Sequence, residues 1–179
     1  TAVGIQSLLF NSGANNTSVG SDSSRSNTTG QNNSSLGFKS LENNTTGNAN
    51  VAMGYNALSS NTIGTSNIAI GVDAGKLNQF NNGNTGGVNN IFIGRNSKSF
   101  NAANTNQIVI GNNSVGNGNN TTTIGNGATE DTYIDNRVHV GKYSTATRPP
   151  HALGALIFDV TIGKLVVGGL SGWEVVESI

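Results

Sequence analysis

Two stretches of the sequence decide the fold: Asn50–Leu58 (NVAMGYNAL) and, seventeen residues further on, Asn67–Gly75 (NIAIGVDAG). Each begins with Asn, continues with three apolar residues and a Gly, and has Ala three positions after that Gly. The same Gly recurs at spacings of 16, 17, 17, 17, 23, 17 and 14, and the longest spacing holds six extra residues between Asn78 and Asn90. The series is Gly4, Gly20, Gly37, Gly54, Gly71, Gly94, Gly111 and Gly125. A unit that recurs eight times at a nearly fixed length indicates a solenoid, in which each copy adds one layer.

Three further columns keep the register of this anchor Gly. The position four residues before it holds an amide in six copies: Asn16, Asn33, Asn50, Asn67, Asn90 and Gln107. The position seven residues after it holds Asn in six copies: Asn11, Asn27, Asn44, Asn61, Asn78 and Asn101. The position three residues after it is always Ser or Ala. Amides at one position of successive coils predict a side-chain ladder, and the small column predicts a tight inner position.

The apolar residues before each Gly alternate in the manner of a short strand. In the fifth copy, Ile68 and Ile70 flank Ala69. Alternation of β-branched residues over about five positions favours a strand over a helix. We therefore predict that each copy is a strand–turn–strand coil. The rows of Ile and Val one and three positions before the Gly are predicted to form a continuous core when the coils stack.

A single coil of this kind is not stable alone. Ordering its residues costs roughly 17 to 34 kcal/mol of backbone entropy, whereas burying about three apolar side chains returns only about 5 to 9 kcal/mol. Stacking is therefore required, and the two short apolar rows of one chain still make a thin core. We expect a lateral partner to cover one face, and hence self-association of the chain.

Composition excludes several classes of protein. Thirty Asn and 25 Gly against two Pro disfavour helices, and forty-three Leu, Ile, Val and Phe argue against disorder. Nine basic and nine acidic residues exclude a polybasic nucleic-acid binder. Apolar runs too short for a bilayer predict no membrane insertion, and the absence of Cys excludes disulfides and thiolate metal sites. The chain starts at Thr1 without a leader, which indicates a piece of a longer chain.

The two repeat stretches, joined by Asn61–Gly64 (NTIG), resemble the head repeats of trimeric autotransporter adhesins and of phage tail fibres that use the same design. The resemblance covers residues 1 to about 129. It implies an all-β fold, a trimeric left-handed parallel β-roll (a solenoid of 17-residue repeats) packed with its aliphatic rows inward. The motif indicates architecture more strongly than function, because the same roll serves as a spacer and as a binding head.

The last fifty residues have a different character, since only Asn136 lies beyond Asn126. Strand-like runs separated by Gly-rich turns predict a small antiparallel β-meander made of Ala155–Asp159, Lys164–Val167 and Trp173–Val176. We therefore predict a β-roll repeat domain at residues 1–129 and a C-terminal antiparallel β-tip domain at residues 130–179. The stretch from Arg148 onward resembles the C-terminal module of many phage tail fibres and related virion appendages.

Together these resemblances imply a structural virion protein, a phage tail fibre segment that trimerises and mediates attachment to the host surface. Its partners would be itself as a homotrimer, other tail or fibre proteins, and a host surface glycan or protein, with the virion tail as its location. Three identical tips would convert weak contacts into firm adhesion through effective concentration. The receptor-contact candidates are Trp173, Tyr143, Arg148 and Tyr133. A lone Trp in a small sheet is more often a core residue, so both roles of Trp173 stay open.

No cofactor and no catalytic activity are expected. Neither His139 nor His151 has a carboxylate or a second imidazole at ligand spacing, although His139 is a weak candidate for a metal site on the axis of a trimer. Glycan cleavage needs two carboxylates about 5 to 9 Å apart. The available pairs are Asp131 with Asp135 and Asp159 with Glu174, in turn or strand-edge contexts where carboxylates are commonly only solvated.

Three alternatives stay open. A bacterial trimeric autotransporter-type adhesin on the cell surface would use the same repeat, but such a protein would continue into a heptad stalk and a membrane-barrel anchor, and residues 130–179 show neither. An ice-binding β-solenoid would need Thr in one file, whereas adjacent pairs such as Thr45 and Thr46 point to opposite faces of a strand. A polysaccharide-cleaving spike is the enzymatic alternative.

Overall fold

The computed structural model describes residues 1–129 and four short strands beyond them: Lys142–Tyr143, Leu156–Asp159, Lys164–Gly168 and Trp173–Val175. This part of the chain is all-β and contains no helix, which confirms the predicted fold class there. It accordingly has no helix long and apolar enough to cross a membrane. The chain divides into two compact units, Thr1–Thr132 and Tyr133–Ile179.

The first unit is built on one eight-stranded parallel sheet. Its strands are β1 (Ala2–Val3), β2 (Thr17–Val19), β3 (Ser34–Leu36), β4 (Val51–Met53), β5 (Ile68–Ile70), β6 (Ile91–Ile93), β7 (Ile108–Ile110) and β8 (Thr122–Ile124). Each strand pairs in parallel with the next one in the chain, so the order in the sheet is the order in the sequence. The chain therefore makes one lap between successive strands and returns to the same sheet. The predicted parallel β-solenoid is confirmed, with about seven turns.

The register of the sheet follows the sequence repeat. Ile68 pairs with Val51 on one side and with Ile91 on the other. The second of these laps contains the six extra residues. The strands stay in register across it, so the extra residues are accommodated outside the sheet.

The strands are shorter than predicted, and each lap contains one strand instead of two. β2 to β8 are three residues long, and the expected second strand of each coil is reduced to isolated bridges such as Val88 with Thr105. The cause lies after the anchor Gly, where Asn56 (φ 54°) and Leu58 (φ 49°) adopt the left-handed conformation. Left-handed residues turn the backbone sharply and end an extended run. The strand–turn–strand prediction is wrong in this respect.

The core is formed by a different row of side chains from the one predicted. Ala69 is fully buried, whereas Ile68 and Ile70 on either side of it are 36% and 39% exposed. Alternate residues of a strand point to opposite faces, so only the middle residue of a three-residue strand points into the coil. The inner row is Ser18, Ser35, Ala52, Ala69, Phe92 and Val109. The prediction that the flanking Ile and Val form the core is therefore wrong for the single chain.

Small residues line the rest of the interior, as predicted. The residue three positions after the anchor Gly is buried in six laps: Ser23, Ser40, Ala57, Ala74, Ser97 and Ser114. In the early laps the interior is hydroxylic, and Ser35 Oγ donates to Ser18 Oγ at 2.9 Å. Further along it is apolar, with Leu41, Leu58 and Phe92 fully buried. The interior is thus hydrogen-bonded in the early laps and apolar in the middle ones, and in the last laps the buried Ser97 and Ser114 lie beside Phe92 and Val109.

Amide ladders are present in two columns, as the fixed Asn positions predicted. In the first, Asn67 Nδ2 donates to Asn50 Oδ1 at 3.1 Å and to the carbonyl oxygen of Gly87 at 2.7 Å. In the second, Asn61 Nδ2 donates to Asn44 Oδ1 at 2.8 Å. All these side chains are buried. A buried amide left without partners costs more than a made bond contributes, so the ladders favour this register over any slipped one.

The six-residue insertion displaces one member of the second ladder column. The backbone N–H of Thr62 donates to the carbonyl oxygen of Thr85 at 2.9 Å. Asn84 is therefore in register with Asn61. Asn78, which the sequence spacing put at that position, belongs to the insertion. The predicted alignment is wrong at this residue because it was counted from the Gly that precedes the extra residues.

The anchor Gly is required by its conformation and by the close approach of the next lap. Gly54 has φ +133°, and a Cβ placed on it would lie 2.6 Å from the carbonyl oxygen of Gly71. A residue with a side chain is strained at this φ. The contact is with backbone, which cannot move aside while the laps remain stacked.

The described strands of the second unit form a separate four-stranded sheet. Its strands are β9 (Lys142–Tyr143), β10 (Leu156–Asp159), β11 (Lys164–Gly168) and β12 (Trp173–Val175), in the spatial order β12-β11-β10-β9. β10 and β12 each pair antiparallel with β11, and β9 pairs in parallel with β10. β9 and β12 are therefore the two edges of this sheet.

Candidate functional site

The most extensive exposed feature of the solenoid is the outside of its parallel sheet, formed by the first and third residues of β2 to β8. We call it the outer strand face. Its fourteen positions comprise eleven aliphatic residues and three hydroxyl residues, Thr17, Ser34 and Thr122, and none is charged. Leu36, Met53 and Ile93 are exposed on it. Since the sheet keeps its register, these side chains form two straight rows that run along the solenoid.

A shallow apolar groove of about 200 Å³ lies on this face at β2 to β4. Larger side chains such as Val19, Leu36 and Met53 line it, and the backbone of Ser35 and Ala52, whose side chains point into the coil, forms its floor. The space between the two raised rows leaves room for side chains of another molecule. The shape and the lack of charge fit a protein surface of similar apolar character.

The apolar character continues past the anchor Gly, at the position that directly follows it. Phe38 and Tyr55 hold this position in successive laps, and their rings stack with centroids 5.6 Å apart. Lys39 Nζ lies 5.5 Å from the centroid of the Phe38 ring. The predicted contact residues do not include this pair, although two aromatic residues seventeen positions apart in the repeat were a sufficient signal.

The structure places two of the four predicted receptor contacts. Tyr143 lies in β9 and Trp173 begins β12, at opposite edges of the second sheet. Three strand spacings separate those edges, and the register offsets the two residues by four positions along the strands, because Tyr143 aligns with Lys164 and Trp173 with Gly168. Their backbones are therefore about 20 Å apart. The sheet therefore does not bring the two residues together into one patch. Arg148 and Tyr133 lie outside the described residues, as do His139 and His151.

The register of the second sheet gives no support for a pair of catalytic carboxylates. Asp159 pairs with Lys164, and Glu174 pairs with Val167, three residues further along β11. With two strand spacings across the sheet and three residues along it, the Cα atoms are about 14 Å apart. Glycosidases hold their carboxyl groups about 5 to 9.5 Å apart. The other pair, Asp131 with Asp135, lies outside the described residues.

Charged side chains are sparse in the described part of the solenoid. Two ion pairs occur there, Lys39 with Glu42 and Lys76 with Asp73, each at 3.2 Å and partly exposed to solvent. Pairs of this kind contribute little to stability. Among residues 1–129 and the four later strands, no three His, Cys, Asp or Glu side chains are grouped so as to hold a metal ion.

Comparisons with family models, with curated proteins and with solved structures gave no match for this chain. The outer strand face is the candidate site that the described residues support best, because it is large, continuous and uncharged.

Proposed function

We propose that this chain is a structural protein, a segment of a homotrimeric fibre in which the outer strand faces of three copies meet around a common axis. The observation that carries the proposal is the outer strand face, an aliphatic surface without charge that is partly exposed in the single chain. Continuous apolar surfaces of this kind mark interaction sites. Covering the exposed half of one such side chain yields on the order of 1 kcal/mol, and eleven residues contribute in each copy.

The number of copies and the left-handed sense of the coil come from the resemblance to trimeric adhesin heads and phage fibres. A parallel solenoid suits such an assembly because both rows continue in register from β2 to β8. One row is aliphatic throughout, and the other is aliphatic from β4 to β7. Another copy can then pack along the whole length of the face. The core of the single chain is thin and partly hydroxylic, so it needs a lateral partner, and the neighbouring copies are that partner.

We further propose that the fibre belongs to a phage tail and attaches the virion to its host. Residues 130–179 would form an antiparallel tip, for which the pairing of β10, β11 and β12 is supporting evidence. Tyr143, Trp173, Arg148 and Tyr133 are the proposed contacts on that tip. Because β9 and β12 are opposite edges of the sheet, Tyr143 and Trp173 would engage the receptor at separate points. Three copies would add their weak contacts through effective concentration.

The geometry is compatible with a bacterial adhesin but disfavours an ice-binding protein. A bacterial trimeric adhesin would have the same outer strand face, and the genes adjacent to its own would separate the two. Ice binding is disfavoured by the one column of aligned Thr. Thr28 Oγ1 donates to the carbonyl oxygen of Thr45 at 2.9 Å, and Thr45 Oγ1 donates to that of Thr62 at 3.0 Å. These hydroxyl protons are donated to the next lap, so the hydroxyl groups can only accept hydrogen bonds from water.

Sedimentation equilibrium of the full chain tests the assembly. We expect the mass of three copies of the 18.3 kDa chain at micromolar concentration. A species of one chain over the whole concentration range would contradict the trimer.

Attachment is tested with the labelled full chain on a panel of bacterial cells. We expect binding to some strains, and weaker binding by Arg148→Ala and Tyr143→Ala than by the control Lys164→Ala. Equal binding by all variants would remove these two residues from the contact. Absence of binding to every strain would contradict attachment itself.

A further inference from the structure

The insertion carries a second exposed site, and its position in the lap is well defined. The chain leaves the regular coil after Gly75, whose N–H donates to the carbonyl oxygen of Ser97 at 2.9 Å. It returns at Asn84, whose N–H donates to the carbonyl oxygen of Lys76 at 3.0 Å. We call residues 77–83 the insertion loop. It includes no residue of β5 or β6, so it is not part of the outer strand face.

The insertion loop is held in one conformation by its own hydrogen bonds. Leu77 and Gly83 form an antiparallel bridge at its base. The N–H of Asn78 donates to the carbonyl oxygen of Asn82 at 2.9 Å. The buried Asn78 side chain crosses the loop, and its Oδ1 accepts from the N–H of Phe80 at 2.9 Å and from that of Asn82 at 3.1 Å. These bonds hold the tip, Gln79 to Asn81, in one arrangement.

Two contacts with the following lap orient the tip further. The N–H of Gln79 donates to the carbonyl oxygen of Ser99 at 2.8 Å, and Lys98 Nζ donates to Asn81 Oδ1 at 2.7 Å. Phe80 contacts Phe100 edge to face, with ring centroids 6.5 Å apart. Despite this contact Phe80 remains 63% exposed. A phenylalanine held on an ordered loop and left in water contributes little to folding, and its ring is available to contact a ligand.

The groups around Phe80 define the chemistry of that ligand. The loop itself is Leu-Asn-Gln-Phe-Asn-Asn-Gly and contains no charged residue. Its amides both donate and accept hydrogen bonds, and the aromatic ring offers an apolar surface. A sugar ring matches this combination, because it presents a face of C–H groups bordered by hydroxyls. Lys98 of the following lap places an ammonium next to Asn81 and keeps its charge there, so stronger binding of acidic glycans than of neutral ones would contradict the assignment of a neutral ligand.

We propose that the insertion loop is a carbohydrate-contact site that takes one or two sugar units of a neutral surface glycan, with Phe80 stacked on the sugar ring and Gln79 and Asn82 bonded to its hydroxyls. The proposal rests on the proposed attachment function and adds to it a site on the solenoid, distinct from the C-terminal tip proposed for residues 130–179. A preformed loop loses little conformational entropy on binding. A single contact of this size is weak, and repetition of the site in an assembly raises its effective strength.

The test uses the full chain on an array of immobilised neutral oligosaccharides built from hexoses and N-acetylhexosamines, together with intact bacterial cells. We expect binding to at least one neutral glycan and a loss of about tenfold or more in apparent affinity for Phe80→Ala. Phe80→Tyr keeps the ring and is expected to retain binding. The matched control is Phe10→Ala, since Phe10 is 61% exposed but lies in the first lap; it is expected to bind as the unchanged protein does.

Each other outcome counts against the proposal in a distinguishable way. If the chain binds cells and Phe80→Ala binds equally well, the insertion loop is not the site and the attachment function stands. If Phe80→Ala loses binding to cells but periodate oxidation of their surface sugars has no effect, the ligand is a protein and the glycan assignment is wrong. If the full chain binds neither glycans nor any cells, both this site and the attachment function fail.

Discussion

Asn67 and Asn90 are joined twice across the lap that carries the insertion. The backbone N–H of Asn90 donates to Asn67 Oδ1 at 3.0 Å, and Asn90 Nδ2 donates to the same oxygen at 3.1 Å. Both residues are buried. The same pair of bonds joins Asn50 to Asn67 one lap earlier. One amide therefore provides the register signal for two neighbouring laps, irrespective of how many residues lie between them.

Replacing Asn67 by Ala should destabilise the solenoid strongly. The change leaves the N–H of Asn90, Asn50 Oδ1 and the carbonyl oxygen of Gly87 each without a bond that they make now. At roughly 1 to 3 kcal/mol for each buried group left unpaired, we expect a loss of about 3 to 5 kcal/mol in the free energy of unfolding. Urea unfolding followed by circular dichroism, at one fixed protein concentration, measures it.

The control for this variant is Asn112→Ala, because Asn112 is exposed. Its substitution should change the free energy of unfolding by no more than about 0.5 kcal/mol. Equal urea midpoints for the two variants would mean that the amide ladder does not stabilise the stack.

A second prediction concerns the anchor Gly. Gly54→Ala puts a Cβ into the left-handed region and against the backbone of Gly71, so the laps must separate locally. We expect a loss of about 3 kcal/mol or more. Gly127→Ala is the matched control, since nothing lies within 4 Å of a Cβ placed there. Thermal unfolding of the two proteins should differ clearly; a Gly54→Ala protein as stable as the control would rule out the close approach of successive laps.

The repeat made most of the fold predictable. The fixed spacing of the anchor Gly gave the number of laps and the order of the strands, and the Asn columns gave the ladders. The exposure of Ile68 and Ile70 was not predictable in this way, because alternation shows that two rows point opposite ways but not which row points inward. The small residue between them, Ala69, is the one that fits inside a narrow coil.

The candidate sites were less accessible to sequence reasoning. The outer strand face follows from the pattern once the inner row is known. The conformation of the insertion loop depends on the hydrogen bonds of Asn78. In the sequence, Asn78 cannot be distinguished from an Asn of the ladder. Spacing counted from Gly71 assigns Asn78 to the ladder column, whereas the pairing of Thr62 with Thr85 puts Asn84 in that column, where its Nδ2 donates to the carbonyl oxygen of Gly75.

A third prediction separates inner from outer aromatic residues. Phe92 is fully buried in the inner row, and Phe80 is exposed on the insertion loop. Phe92→Ala should lower the free energy of unfolding by about 3 to 5 kcal/mol through the cavity it leaves, whereas Phe80→Ala should have an effect of less than about 1 kcal/mol. Chemical denaturation of both variants checks this. Similar losses for the two would show that the interior of the coil is not packed around Phe92.

The last prediction tests the outer strand face directly. Ile70→Lys puts an ammonium into the proposed interface of each copy, where no acidic residue of the face is available to pair with it. Burying an unpaired charge costs several kcal/mol, which corresponds to a weakening of assembly by about 100-fold or more. The coil itself should stay folded, because Ile70 points away from its interior.

Ile63→Lys is the matched control, since Ile63 is 61% exposed but lies outside the face. Sedimentation should show dissociation for Ile70→Lys alone, with unchanged circular dichroism for both variants. An Ile70→Lys protein that assembles like the control would mean that the copies meet through some other surface.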